Sequence, residues 1–542
     1  MGVKGHAATL GFAGILAGSL IVALDAVALS PSLPTIEEDL NTTTLEAYWA
    51  GVAYTLGSAT FLPLFPAASN IFGRRGVSLA ALLLFLVGTI VCSTAQNIAA
   101  LLAGRVLQGI GGGGIIGMMY VVITDLFEKI HQPKALAVNG LIWLLGTSLG
   151  PIMGGGFSGN ISWRWIFWIA LPINAIALVL VGGFLKIPMP NLAESATPVK
   201  RLNWTLLSRD DCFLIPMTWG GVMYAWDSYH TLVPLILGAA GCVAWLVYEF
   251  VVPSNPILPL VILNDRTAAI SLFSAFALGL IQFGLIFYLP LYYQIVKGYS
   301  SLISGVALLP ETLLAGPTTV LTGMIMSRIG KYKAIIIVGW IMTALGCGLL
   351  VLLDEDMSIA AWIFINVPAG LGIGILFPST PMAAQAPVKE EHGAIASGLV
   401  ASTRTIGQAI GIAAGNAIVQ NGLRRELNKA SSAILRQDAA LISANSASPQ
   451  LLSLIMRTGP TERTELLDAY VKSIHGVWWL LFAMASFCGI LTLFIRDVGL
   501  GKTKAAVEKH ISSTSSLPLS CDDEELRASW CEGQSPHLEY QS

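Results

Sequence analysis

The sequence predicts an all-α polytopic membrane protein made of two related helical bundles, and three observations carry that prediction. Of its 542 residues, 54% are hydrophobic and only 11% charged, with a mean hydropathy of +0.71; soluble domains carry about a quarter charged residues. Apolar runs close to the ~20 residues of a spanning helix recur roughly fourteen times between residues 10 and 496. An internal repeat is also visible. PAASNIFGRR, which ends on Arg74 and Arg75, has a counterpart in GMIMSRIGKYK, and the alignment sets Gly73 against Gly330 and Pro66 against Gly323.

In chain order the runs cover residues 10–34, 46–69, 77–96, 98–125, 134–156, 163–186, 211–227, 231–252, 268–295, 301–326, 334–353, 359–384, 394–422 and 474–496. Residues 1–9 precede them. The first six runs (10–186) and the last six (268–496) form the two bundles, with a pair of helices (211–252) inserted between. Residues 423–473 make a long connection with amphipathic pieces such as LRRELNKASSAILRQ, either a solvated cap or a binding domain. Residues 497–542 form a polar, Ser-rich tail expected to be disordered. Lys and Arg gather in the even-numbered connections, at Arg74, Arg75, Lys129, Lys134, Lys186, Arg266, Arg328, Lys331 and Lys333. The positive-inside rule then places these connections and both termini in the cytoplasm. Asn41 and Asn160, each in an N-x-S/T triplet, fall in outside loops as glycosylation candidates.

Several function classes are excluded. A net charge of −2 points to no nucleic-acid partner, and the seven cysteines show neither metal spacing nor a disulfide framework. The N-terminus lacks the cleavage site of a secretory signal, so the first run is expected to be retained. Gly146-Thr-Ser-Leu-Gly150 matches a nucleophile elbow and Gly109-Ile-Gly-Gly-Gly-Gly114 a dinucleotide fingerprint, but both lie inside apolar runs without the strand each requires. Gly501-Lys502-Thr503 lacks the upstream glycine of a phosphate loop. The chain reads as no enzyme, with no cofactor and no metal; without an ATP site, any transport through it must run on an ion gradient or passively.

The fifth run, GLIWLLGTSLGPIMGGG, carries the most information. Gly146, Gly150 and Gly154, with Gly155 beside them, bare one helix face to a neighbouring backbone, and Pro151 removes an amide donor among them. Gly407, Gly411 and Gly415 repeat the ladder in the thirteenth run, which predicts a matched pair at the interface of the two bundles. Duplicated bundles joined by basic hairpins are what an alternating-access carrier needs.

Asp25, Arg105, Glu311 and Arg404 are the charges deepest in the runs. Each costs at least ~2.5–3.5 kcal/mol at a bilayer centre unless paired or hydrated. Asp25 and Arg105 sit at similar depth from the outer surface, either as a proton-sensitive pair or as a static strut. Glu311 and Arg404 offer a second exchangeable pair, an interhelical strut, or, through Glu311, a contact to a polar substrate group. Tyr54, Trp143, Gln282, Phe283, Tyr288, Asn366, Gln385 and Gln408 are candidates to line an apolar, aromatic cavity for an amphipathic small molecule.

The segments LLAGRVLQGIGGGG, TSLGPIMGGGFSGNISWRWIFWIALP, SNIFGRRGVSL, ALDAVALSPSLP, GWIMTALG and WGGVMYAWDSYH together resemble the major facilitator superfamily, specifically its fourteen-span drug:proton antiporters, near fungal secondary-metabolite and toxin efflux pumps. The resemblance implies the major-facilitator fold and proton-driven export from a monomer in the plasma or vacuolar membrane. It implies a gating role for the hairpin at Gly73, Arg74 and Arg75. Asn70 stands at the family's usual aspartate position, where an amide cannot form the charge pair; Asp125 at the end of the fourth run is the alternative partner. Rival readings are a siderophore or basic amino acid carrier, and a nutrient sensor that keeps the fold without transport.

Overall fold

The structure is a computed structural model, and it describes residues 6–29, 32–40, 42, 44–187, 265–354, 357–388, 393–444 and 459–497. The two inserted runs at 211–252, the tail beyond 497 and Asn41 lie outside the described residues. Every described element is helical.

The first bundle comprises α1 (His6–Ala28), α3 (Thr44–Phe61) continued by α4 (Leu64–Phe72), α5 (Arg74–Ser93), α6 (Ile98–Leu126), α7 (Gln132–Asn160) and α8 (Trp165–Phe184), with the short α2 (Leu33–Asp39) after α1. The second comprises α9 (Arg266–Ile295), α10 (Ser301–Val306) continued by α11 (Leu309–Ile329), α12 (Lys333–Leu349), α13 (Ile359–Gln385), α14 (Gly393–Leu427) and α17 (Pro460–Thr492). Two single-turn helices, α15 (Ala433–Gln437) and α16 (Ala439–Ala444), lie between the last two. Among the described residues nine helices are long and apolar enough to cross a membrane. Side chains such as Val179, Leu313, Ile341, Phe364 and Ile490 lie exposed on the outside, while Gln108, Asn174, Thr319, Asn366 and Gln408 are buried. Apolar outside and polar inside is the distribution that suits lipid.

Local sequence explains the helix ends. Asn97 accepts the Ala100 amide at 2.8 Å and Asp265 those of Thr267 and Ala268 at 2.7 and 3.3 Å, satisfying N-terminal donors of α6 and α9. Gly73 separates α4 from α5 at φ 81°, and Gly330 separates α11 from α12 at φ 69°. Both positions take a positive φ, which favours a residue without a Cβ, so the repeat aligns two glycine turns, although their ψ angles differ, 151° at Gly73 and 17° at Gly330. The second run is interrupted at Leu62 and Pro63, and the tenth at Ala307 and Leu308. The thirteenth and fourteenth runs reach further into their long connection than apolarity predicts. Arg424 and Arg425 complement the C-terminal dipole of α14, and Pro460 and Glu462 open α17.

The repeat extends to packing. In the first bundle α1 packs on α7 and α8, α3 on α6, and α5 on α6 and α8; in the second α9 packs on α14 and α17, α11 on α13, and α12 on α13 and α17. The turns at Gly73 and Gly330 mark the hairpin end of the molecule; the opposite end carries α2 and the helix start at Asn97. Near the hairpin end Pro66 of α4 meets Gly398 of α14, and Gly323 of α11 meets Pro133 and Ala137 of α7. The aligned pair Pro66 and Gly323 thus occupies equivalent cross-bundle contacts. Ser327 Oγ extends the second contact by donating to Ile130 O at 2.7 Å. Towards the opposite end Ala26 and Val27 of α1 pack with Phe283, Ile286 and Phe287 of α9 and Ile412 of α14.

The glycine ladders differ from expectation. A Cβ on Gly146 would meet Ala23 of α1 at 2.5 Å, and one on Gly150 would meet Val27 of α1 at 2.6 Å. On Gly407 and Gly411 it would meet Phe276 O and Leu280 O of α9, and on Gly415 the Tyr288 ring. Gly154 lends its carbonyl to Ser32 Oγ at 3.0 Å. The two ladders therefore do not face each other; each seats its helix within its own bundle. Bare faces on α7 and α14 admit backbone contact, but the periodicity does not say from which neighbour. α7 continues as a helix through Pro151. The run at Gly109 and Gly111–Gly114 is likewise packing surface. Gly109 and Gly113 abut the Tyr54 and Ser58 carbonyls of α3, and Gly111 abuts the Phe85 backbone of α5.

Candidate functional site

Asp25, Arg74, Arg105, Glu311 and Arg404 are the buried charged side chains of the described residues. Their partners differ sharply.

Asp25 near the end of α1 and Arg105 in α6 form an ion pair, Nη1 to Oδ2 at 2.5 Å, with relative exposures of 4% and 1%. Arg105 also donates from Nε to Ala50 O at 2.9 Å and from Nη1 to Gln108 Oε1 at 2.9 Å. Gln108 in turn donates to Thr89 Oγ1 at 2.9 Å, and Thr89 to Phe85 O at 2.7 Å. The Arg105 guanidinium lies 4.5 Å from the Tyr54 ring and 5.9 Å from that of Phe167. Tyr54 donates from its hydroxyl to Val22 O at 3.4 Å. Groups from α1, α3, α6 and α8 thus converge on one guanidinium, and α5 joins the network through Gln108. A buried ion pair is held only when further hydrogen bonds satisfy its remaining donors, and this network supplies them. Gln108 was legible three residues after Arg105, on the same helix face; Thr89 carried no signal inside its apolar run.

Glu311 and Arg404 do not form the expected pair. Among the described residues Glu311 Oε2 has no hydrogen-bond partner, and neither has Arg404 Nε. Arg404 lies instead 4.5 Å from the Phe377 ring of α13 and 5.9 Å from the Trp143 ring of α7. Depth along a run does not fix rotation about the helix axis. Glu311 opens α11, where its backbone carbonyl abuts Gly370 of α13, whereas Arg404 lies inside α14 with its backbone against Gly279 of α9.

The cavity candidates divide. Trp143 Nε1, both amide ends of Gln282 and Asn366 Oδ1 are buried without partners among the described residues, and Gln408 lies buried one turn beyond Arg404 on α14. Asn366 also donates to Tyr293 Oη at 2.8 Å. Three other candidates are used in packing. Phe283 belongs to the seal with Val27, Tyr288 donates to Ile412 O at 2.6 Å, and Gln385 donates to Ser397 Oγ. An aromatic or amide in a spanning run packs between helices as readily as it lines a path, and sequence does not separate the two. Phe377 was not anticipated.

At the hairpin end Arg74, 6% exposed, donates from Nε to Asp125 Oδ2 at 2.8 Å and from Nη1 to Ser69 Oγ at 2.6 Å. Arg75 donates to Gly182 O. Asp125 therefore holds the arginine in a chain whose Asn70 cannot supply a charge. The side chains of Asn70 and Asn160 lie outside what the structure describes. At the opposite end Asp39 accepts from Trp163 Nε1 at 3.0 Å and from Arg164 Nη1 at 2.7 Å, while Arg164 Nη2 donates to Ala95 O at 2.7 Å. This clamp joins the connections after α1, α5 and α7; Trp163 and Arg164 lie in the SWRW segment, and nothing in the sequence marks Asp39 as their partner.

Two six-helix bundles with duplicated packing and an apolar exterior, enclosing a buried charge network, are the architecture that an alternating-access carrier needs. Residues 15–412 match the family profile described as Major Facilitator Superfamily, and the chain belongs to that superfamily. It is 36% identical over 482 residues to "MFS transporter L2" of Phoma sp., covering 88% of this chain and 80% of the relative. It is 31% identical over 503 residues to "Efflux pump FUS6" of Gibberella fujikuroi, covering 92% and 90%. It is 32% identical over 504 residues to the "Acurin A biosynthesis cluster MFS-type transporter" of Aspergillus aculeatus, covering 90% and 88%. The fold also resembles the human organic anion transporter MFSD10, with a TM-score of 0.56 at 16% identity over 89% of this chain and all of that one. The proton:xylose symporter XylE gives 0.54 at 13% identity over 91% and 97%.

Proposed function

We propose that the protein exports a small amphipathic organic compound, a secondary metabolite or toxin, in exchange for protons by alternating access. The observation that carries this reading is the buried Asp25–Arg105 pair. A carboxylate sealed among five helices is costly to keep charged without its cation. Protonation of Asp25 releases Arg105 to its remaining partners, Ala50 and Gln108, so proton binding changes what holds α1 against α6. The curated relatives named as efflux pumps support the direction of transport. The basic connections support a cytoplasmic hairpin end, with both termini cytoplasmic and the plasma membrane as the site of export.

Arg74, Ser69 and Asp125 act through α4 in this account. They fix the turn after α4, and α4 presents Pro66 to the second bundle. Cationic cargo, as a siderophore–metal or basic amino acid carrier requires, is disfavoured because, among the described residues, the buried cation without a carboxylate is Arg404. Deleting the gene in its source organism tests the proposal: an organic compound then accumulates in the cells and falls in the medium. An unchanged distribution of every extractable compound would contradict export.

A further inference from the structure

Resting on the reading of the interior as a cargo path, we infer that Arg404 is an anion subsite, and that the cargo is a singly charged organic acid, a carboxylate or acidic enol on an apolar body.

The comparison with Arg105 carries the inference. The two guanidinium groups share a surrounding, one ring at 4.5 Å and a second at 5.9 Å. Arg105 has, in addition, a carboxylate, an amide oxygen and a backbone carbonyl as acceptors. Arg404 donates no hydrogen bond among the described residues, and its Nε is sealed without an acceptor. An aromatic face attracts the positive charge but accepts few of the five N–H donors an arginine carries. Arginine keeps its charge at every relevant pH. A permanent, 3% exposed cation with unused donors therefore calls for an anionic acceptor.

The flanking groups define the rest of the ligand. Trp143 and Phe377 come from different bundles, so the subsite spans the interface along which the bundles rock. Trp143 Nε1 and both ends of the Gln282 amide are further unused polar groups of the interior. Gly279 sits against the Arg404 backbone three residues before Gln282, so α9 brings that amide to the neighbourhood of the arginine. The other buried cations of the described residues, Arg74 and Arg105, already hold Asp125 and Asp25. A single free positive charge among aromatic rings suits one negative charge on an apolar frame; a phosphate or dicarboxylate would want further cations.

The test measures equilibrium binding to the purified full-length protein in detergent, with no gradient, so that it is independent of proton coupling. The probes are 1-naphthaleneacetate, 2-naphthoate and 1-pyrenebutyrate, each compared with its neutral amide by equilibrium dialysis. The wild type binds at least one acid about tenfold more tightly than its amide, the ratio expected of one charge-assisted hydrogen-bonded contact. Arg404→Gln loses that preference while still binding the amide, and Arg404→Lys restores part of it. Arg425→Gln, at the exposed end of α14, serves as the surface control. Failure of all three acids to exceed their amides, or an equal preference in Arg404→Gln, would overturn the subsite. A loss in Glu311→Gln as large as in Arg404→Gln would assign Arg404 to Glu311 instead, and would also overturn it. Absence of proton-linked transport with the acid preference intact would reject the proposed coupling and leave the subsite standing.

Discussion

Arg105 and Arg404 each lie 4.5 Å from one aromatic ring and 5.9 Å from another, yet only Arg105 holds a carboxylate. The difference separates a cation whose partner is built into the fold from one whose partner must arrive.

Removing the two arginines has unequal consequences for stability. Arg105→Ala leaves Asp25 buried and unpaired and destabilises the protein by about 3–5 kcal/mol. Arg404→Ala strands no carboxylate, and its loss is confined to ring contacts of about 0.5–2 kcal/mol. Thermal unfolding in detergent at neutral pH, run on both variants, checks the order.

Gly407→Ala forces a Cβ onto the Phe276 carbonyl of α9, a backbone atom that cannot swing away. The substitution destabilises by about 1–3 kcal/mol, as overpacking does. Gly156→Ala, with open space at its Cβ position, stays within about 0.5 kcal/mol of wild type. Equal melting temperatures for the two variants would contradict the seating of α14 on α9.

Asp125→Asn weakens the hold on Arg74 and, through α4, the contact of Pro66 with Gly398. The hairpin end then opens more often. A cysteine at Ser327, which bonds across the bundles to Ile130, reacts several-fold faster with a membrane-impermeant maleimide in the Asp125→Asn background, in inside-out vesicles.

The Trp163 indole and the Arg164 guanidinium, both donating to Asp39, hold its carboxyl below the ordinary value of 3.8. The sign follows from linkage: a depressed pKa stabilises the fold above the unfolded value and loses that contribution as pH falls through the folded one. Stability of the wild type therefore has an acid-sensitive component below about pH 4 that Asp39→Asn lacks. Unfolding midpoints between pH 3 and 6 measure it, and parallel curves for the two proteins would contradict the clamp.

Much of this was legible in the sequence, because membrane burial makes a few residue types conspicuous. Asp25 and Arg105 stand out as charges inside apolar runs, and equal depth together with the resemblance to a fold whose first and fourth spans line one cavity points to their pairing. Gly73 and Gly330 stand out because two positive-φ turns need glycine. Rotation about a helix axis left no such mark. The ladders at Gly146 and Gly407 revealed bare faces without naming α1 and α9 as their neighbours, and Glu311 and Arg404 shared an interior without sharing a contact. The Asp39 clamp was hidden because its partners lie over a hundred residues apart, with separations of 124 and 125.

In the proposed mechanism cargo leaves in exchange for protons bound at Asp25. The most direct measurement is proton movement in pyranine-loaded proteoliposomes of the purified protein, challenged with an organic extract of the source organism's culture medium. The wild type gives an extract-dependent proton flux that disappears in Asp25→Asn while that variant remains folded. Extract compounds crossing with no accompanying proton flux, or an undiminished flux in Asp25→Asn, would contradict it.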